Sequence, residues 1–190
     1  MRLAKALMTL ALFRPAAPQT LRFADVTWGD APATVERKLR AGGFAPGHID
    51  DEGDMPFHGR VAGYEGDGWI YFANGRAVKT LFVVRPTPDQ ALGTYDRMRA
   101  TLLREHGPTR HQVALYTPPF AKGDGHDLDA VRAGKLYIAT VWRDGPDDRP
   151  LQGSDPGIIL HVTRDLTVNL AFEGPGWTAE TARRRAAGQR

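Results

Sequence analysis

Hydrophobic and polar positions along the chain change period several times. Val35 and Leu39 stand four apart between Gly29-Asp30-Ala31-Pro32 and Gly42-Gly43, which is one apolar stripe on a short helix. Asp30 or Ala31 takes the N-cap and Pro32 the first turn. The glycines end the helix near Ala41, and Phe44 packs back onto the stripe. Residues 21–28 read as a short extended lead-in, 45–56 as an acidic loop and 59–65 as a strand. The period then becomes two. Trp69–Ala73 and Arg76–Val84 flank Asn74-Gly75, a pair in which both residues accept positive φ, so a tight β-hairpin is expected. A simple two-residue turn sets Tyr71 opposite Val78 and Ile70 opposite Lys79.

A second helix follows. Thr87, Pro88 and Gln90 form a capping-box signature, and Leu92, Tyr95, Met98, Leu102 and Leu103 keep helical spacing up to Gly107-Pro108. Strands are expected at 112–117, 135–143, 157–163 and 166–172, with loops over 118–134 and 144–156. In the last strand Leu166, Val168, Leu170 and Phe172 alternate with Thr167, Asn169 and Ala171. The first set is assigned to the core and the second to an open sheet face. Thr178 caps a helix over about 178–187 that has almost no apolar stripe, and it reads as a solvated, frayed tail.

The order is helix, three strands, helix, four strands. Two main helices are too few to cover both faces of a parallel sheet, and hairpins imply antiparallel pairing. The expected fold class is α+β: one antiparallel β-sheet with helices packed on one face, in two similar α-β-β-β halves, 21–85 and 86–173. The domain plan is a signal peptide over 1–20, a single domain over 21–173 and an Arg-rich helical tail over 174–190.

Trp28-Gly29 ahead of Val35 and Leu39, Gly43-Phe44, and a helix ending Leu102-Leu103-Arg104-Glu105-His106-Gly107-Pro108 resemble features of small exported bacterial α+β proteins. The layout is similar to the β-lactamase-inhibitor-protein-like fold, shared with small outer-membrane assembly lipoproteins. That resemblance implies a non-catalytic protein that binds other proteins. The lipoprotein cysteine of such relatives is not present here.

Composition narrows the field. The 190 residues are 42% hydrophobic and 25% charged, with 21 Gly and 14 Pro: enough apolar material for a real core, with many loops. Lacking cysteine, the chain has no thiolate metal site, thiol nucleophile or disulfide. The formal charge of +3 comes from the ends. Arg2, Lys5 and Arg14 lie in the first 20 residues, and Arg183, Arg184, Arg185 and Arg190 in the last few. Residues 21–172 hold slightly more acid than base, so no specific nucleic-acid partner is expected of the body. Met1–Lys5 is a positive n-region, and Ala6–Phe13 is an apolar run too short to span a bilayer. This reads as an export signal, with localisation in the periplasm, cell envelope or medium and no transmembrane segment in the mature chain.

No motif names a reaction. Ser154 is the only serine and has no nucleophile elbow around it. His48, Asp50, Asp54 and His58 crowd one loop and form the weak metal candidate, although their spacing matches no ligand pattern. The loop around Asp124, His126 and Asp127 fails the calcium-loop register, so no cofactor is expected. Trp69, Tyr71, Tyr137 and Trp142 are strand aromatics, suited either to the core or, with Asn169, to a partner-binding patch. The leading expectation is an exported, non-enzymatic domain that binds a protein or envelope component, such as another envelope protein. A hydrolase, metal-dependent or carboxylate-based, using the Asp/His loops is the alternative. A cytoplasmic nucleic-acid accessory protein using the Arg-rich tail is the second.

Overall fold

The computed structural model describes residues 23–143 and 155–188. The expected signal peptide over 1–20, most of the 144–156 loop and Ser154 lie outside the described residues.

The first helix, α1 (Pro32–Ala41), forms where the stripe predicts it, and Val35 and Leu39 are fully buried. Gly43, at φ 82°, lets the backbone reverse. Phe44 N–H then donates to Leu39 O at 2.9 Å and Gly43 N–H to Arg40 O at 3.1 Å. This is a Schellman ending, which satisfies two orphan carbonyls and brings Phe44 back to the core. Asp30 does not cap the helix. It accepts from Thr27 N–H and from Lys38 Nζ instead, at 2.8 and 2.7 Å.

Four strands follow: β1 (Ala45–Pro46), β2 (Met55–Val61), β3 (Tyr64–Ala73) and β4 (Arg76–Val84). The strand expected over 59–65 is in fact two strands joined at Ala62-Gly63, with φ of 51° and 86°. β3 also begins earlier than expected and runs through Gly66 and Gly68. A Cβ at Gly68 would collide with the Phe57 ring, which lies 6.2 Å from the Phe82 ring and near-parallel to it. These glycines therefore make room for aromatic core side chains, where a pattern reading takes them as breaks.

Asn74 and Gly75 take φ of 50° and 69°, as a type I′ turn requires. The expected register is nevertheless corrected. Ala73 faces Arg76 and Phe72 faces Ala77, but a bulge then places Tyr71 opposite Lys79 and Ile70 opposite Thr80. The bulge absorbs Val78, whose side chain is buried and whose carbonyl accepts from Gly174 N–H. Gly75→Val should lower stability by about 1–3 kcal/mol, the range for a strained backbone position. A denaturant midpoint equal to wild type would mean the turn tolerates a β-branched residue.

The second helix, α2 (Ala91–His106), is preceded by a 3₁₀ turn over Pro88–Gln90. Thr87 makes no side-chain cap bond, so the expected capping box is replaced by this tighter backbone turn. Tyr95, Met98 and Leu102 are buried as expected, and Tyr95 Oη lies 2.6 Å from Thr140 Oγ1. After β5 (His111–Tyr116), a short helix α3 (Asp127–Arg132) interrupts the expected 118–134 loop and buries Ala130 and Val131. β6 (Leu136–Arg143), β7 (Gly157–Val162) and β8 (Val168–Glu173) complete one antiparallel sheet, and α4 (Trp177–Ala186) closes the described chain.

The sheet order is β1-β2-β3-β4-β8-β7-β6-β5. It is an α+β fold in which each of α1 and α2 precedes a four-strand meander, and the two meanders meet along their last strands, β4 and β8. α1 packs beside β1 and β4, and α2 over β7 and β8. Beneath them Ile70, Phe82, Ile158, Leu160, Val168 and Leu170 form the centre of the core. α4 lies elsewhere: Trp177 packs against Tyr71, and Lys79 sits over the Trp177 ring at 4.2 Å. Tyr71 and Lys79 belong to the other face of the sheet. Among the described residues no helix is long and apolar enough to cross a membrane.

Candidate functional site

Cross-strand partners project to the same face of a sheet, so the registers define rows of side chains. On the face away from α1 and α2, one row runs Trp69, Leu81, Ala171, Ile159, Val141. It crosses five strands without a polar side chain. Ala171 is buried, and the other four are partly exposed. The next row runs Asp67, Val83, Asn169, His161, Ala139, Val113. Beyond it Tyr137 faces Leu115, and these two are among the three most exposed large apolar side chains described, at 50% and 62%.

On the other side of the apolar row the face is charged but neutralised. Lys79 pairs with Glu173 at 3.3 Å, and Arg143 approaches the same carboxylate at 3.8 Å. Burial under α4 pushes the Lys79 ammonium below its ordinary value, against the opposing pull of Glu173. Toward β2, Arg60 pairs with Glu65 and Arg85 with Asp67, at 2.7 and 2.6 Å. His58 also meets Asp67, and that hydrogen bond is the first cause of the lowered Asp67 carboxyl, with burial opposing and Arg85 adding to it.

His161 sits in the middle of this face. Its Nδ1 is buried with no hydrogen-bond partner among the described residues. Burial lowers its pKa from the ordinary 6.5, and the charge of Lys79 lowers it further. The ring is therefore a neutral, largely apolar element at neutral pH, continuous with Ile159 and Ala139.

The expected site residues divide accordingly. Trp69, Tyr71, Tyr137 and Asn169 all lie on this face, although Tyr71 is partly covered by Trp177 and Arg184. Trp142 does not. It is 2% exposed on the helix-covered face, where its Nε1 donates to Gly107 O at the end of α2. Trp142 alternates with Val141 along β6, and only one of the two can reach the open face.

The metal candidates are not assembled. His48 is exposed on its loop. Asp50 is exposed, and its Oδ1 is taken up within the loop by the N–H groups of Glu52 and Asp54. His58 engages Asp67. Asp54 is buried in a bidentate ion pair with Arg184, at 2.6 and 2.7 Å. Among the described residues no group of three or more His, Asp or Glu could hold a metal ion. In the second polar loop the carboxylates are spent locally: Asp124 accepts from Ala121 and His126 N–H, and Asp127 from Tyr116 Oη.

The cluster that sequence reasoning missed is Arg184 with Asp54 and Glu180. Arg184 is 4% exposed, donates to both carboxylates and to Phe72 O, and stacks over the Tyr71 ring. The expectation that it is solvated is corrected. Asp54 and Arg184 stand 130 positions apart, and no local pattern links them. Leu81, Ile159 and Val141 were also overlooked. They lie in strands that are apolar on both faces, so alternation has no polar partner to reveal them.

Comparison with protein-family models, with curated proteins and with solved structures gives no match, so the reading of this face rests on its own residues.

Proposed function

We propose that this protein is an exported, non-enzymatic binding domain that uses the sheet face away from α1 and α2, beside the part covered by α4, to hold a folded protein of the cell envelope. The observation that carries the reading is the apolar row Trp69, Leu81, Ala171, Ile159, Val141, which runs unbroken across five strands. An aromatic and aliphatic strip with a polar rim is the composition of a protein-binding hot spot. Its cations support a protein rather than a phosphate backbone as partner. Arg60, Arg85, Lys79 and Arg143 each face a carboxylate, so little net positive charge is offered. The tail favours nucleic acid no better, because Arg183 and Arg184 are paired with Glu180 and Asp54. The β-lactamase-inhibitor-protein-like resemblance, with its protein-binding role, agrees with this reading. Export rests on the positive n-region and apolar run of the first 13 residues.

The test uses envelope extract from the native organism passed over the immobilised protein. Wild type should retain a protein in stoichiometric amount, insensitive to nuclease, and cross-linking should map it to the β7–β8 face. Ile159→Glu, with an unchanged melting temperature, should lose it. Equal retention by both forms, or nuclease-sensitive retention, would overturn the proposal.

A further inference from the structure

The two edges of the sheet are built differently. At one edge β1 has only two residues, one of them Pro46, and β2 presents Pro56 and Arg60. Short strands, proline and charge are the usual protections against edge-to-edge pairing. The other edge is β5, six residues long, His111-Gln112-Val113-Ala114-Leu115-Tyr116, with no proline, lysine, arginine or carboxylate. No described strand pairs with its outer side.

The register fixes which backbone groups are turned outward. Thr117 N–H donates to Lys135 O, continuing the pairing of Tyr116 with Leu136 and Leu115 with Tyr137. Antiparallel strands alternate, so His111, Val113 and Leu115 direct their N–H and C=O groups to β6. Gln112, Ala114 and Tyr116 direct theirs away from the sheet. Gln112, Ala114 and Leu115 are exposed, and Leu115 at 62% is the most exposed large apolar side chain described.

We infer that β5 is a self-association edge, and that its occupant is β5 of a second copy of this chain, antiparallel about a two-fold axis through Ala114. The segment is complementary to itself in that register. Ala114 meets Ala114 of the second copy as a hydrogen-bonded pair, and its small side chain leaves the close approach unobstructed. Gln112 meets Tyr116 of the second copy in the two flanking hydrogen-bonded pairs. Val113 meets Leu115 of the second copy on the open face, apolar against apolar, where cross-strand pairs stabilise a sheet. No like charges face each other between residues 112 and 116. A closed two-fold contact of this kind uses the same surface on both subunits. It covers Leu115 and joins the two open faces into one continuous sheet, without occupying the apolar row assigned to the envelope partner.

Three variants test the inference. Ala114→Pro removes an N–H that β6 does not use, so the fold should stand while the intermolecular ladder is broken. Leu115→Lys places a charge at the edge. Ala114→Cys introduces the only thiol in the chain. Hydrogen-bonded partners lie about 5.5 Å apart at Cα, within disulfide reach. Sedimentation from micromolar to near-millimolar concentration should show wild type moving from monomer to dimer. Ala114→Pro and Leu115→Lys should stay monomeric over the same range with native circular dichroism. Oxidised Ala114→Cys should become a covalent dimer, whereas Gln112→Cys, displaced from the axis, should not. A wild type that stays monomeric throughout would overturn the inference. So would a dimer unaffected by both edge variants, or equal cross-linking at positions 112 and 114.

Discussion

Arg184→Met is expected to destabilise the protein by about 3–5 kcal/mol, the cost of leaving a buried carboxylate without its partner. Arg184 is 4% exposed and binds Asp54 through two hydrogen bonds, and Asp54 is itself 2% exposed. Glu180 keeps Arg183 when Arg184 is lost, but among the described residues the Asp54 carboxylate then keeps only Phe72 N–H, at 3.3 Å. Removing 174–190 should cost at least as much, because it also strips Trp177 from Lys79 and Tyr71. Urea unfolding gives the comparison. Replacing Asp54 with Leu and Arg184 with Met together should recover part of the loss, since joint removal leaves no orphan charge. Equal midpoints for wild type and Arg184→Met would mean that α4 contributes nothing to the fold. The Glu180 carboxyl is lowered from its ordinary 4.5, chiefly by its bond to Arg183, with Arg184 adding to it against burial. A depressed carboxyl stabilises the native state above the ordinary value, and that contribution is lost as pH falls through the depressed one. Acid should therefore release α4 only below about pH 4.5.

Leu170→Ala should cost about 2–5 kcal/mol, as large-to-small changes in a packed core do. Leu170 is fully buried and faces Phe82 on β4 and Leu160 on β7, both fully buried themselves. It lies at the junction of the two meanders, so a cavity there opens beneath both. Its neighbour Asn169 makes the contrast. Asn169 points to the open face and, among the described residues, accepts from Thr167 Oγ1 alone, so Asn169→Ala should leave the melting curve nearly unchanged. Thermal unfolding of the two variants measures this directly. A larger loss for Asn169→Ala than for Leu170→Ala would mean that core and open face are exchanged.

Elements with a strong local signal were legible in the chain. Val35, Leu39 and the glycines after them were enough for α1, because a stripe and a C-terminal reversal are local physics. Asn74-Gly75 marked the hairpin, and the alternation from Val168 to Phe172 marked its core face. The failures share a cause. Ala62-Gly63 makes a turn with no asparagine to announce it. Gly66 and Gly68 sit mid-strand because the Phe57 and Phe82 rings fill their space, a demand set by neighbouring strands. The hairpin register slipped by one at a bulge, where Val78 is buried and its carbonyl bonds to Gly174. The Thr87 capping box gave way to a 3₁₀ turn.

The sequence by itself determined the fold class, most of the strands and both main helices, because period, turn chemistry and helix ends act over a few residues. It also determined which side of β8 is buried. Only the tertiary structure decided which apolar residues remain on the surface. In strands that are apolar on both faces, such as Ile158-Ile159-Leu160, the distinction between core and open face is made by where the helices pack. Only the tertiary structure brought Arg184 across the chain to Asp54, turning the apparent solvated tail into a buried ion pair. A charge can be buried only where a distant partner compensates it, and the distance between such partners is measured in space rather than along the chain.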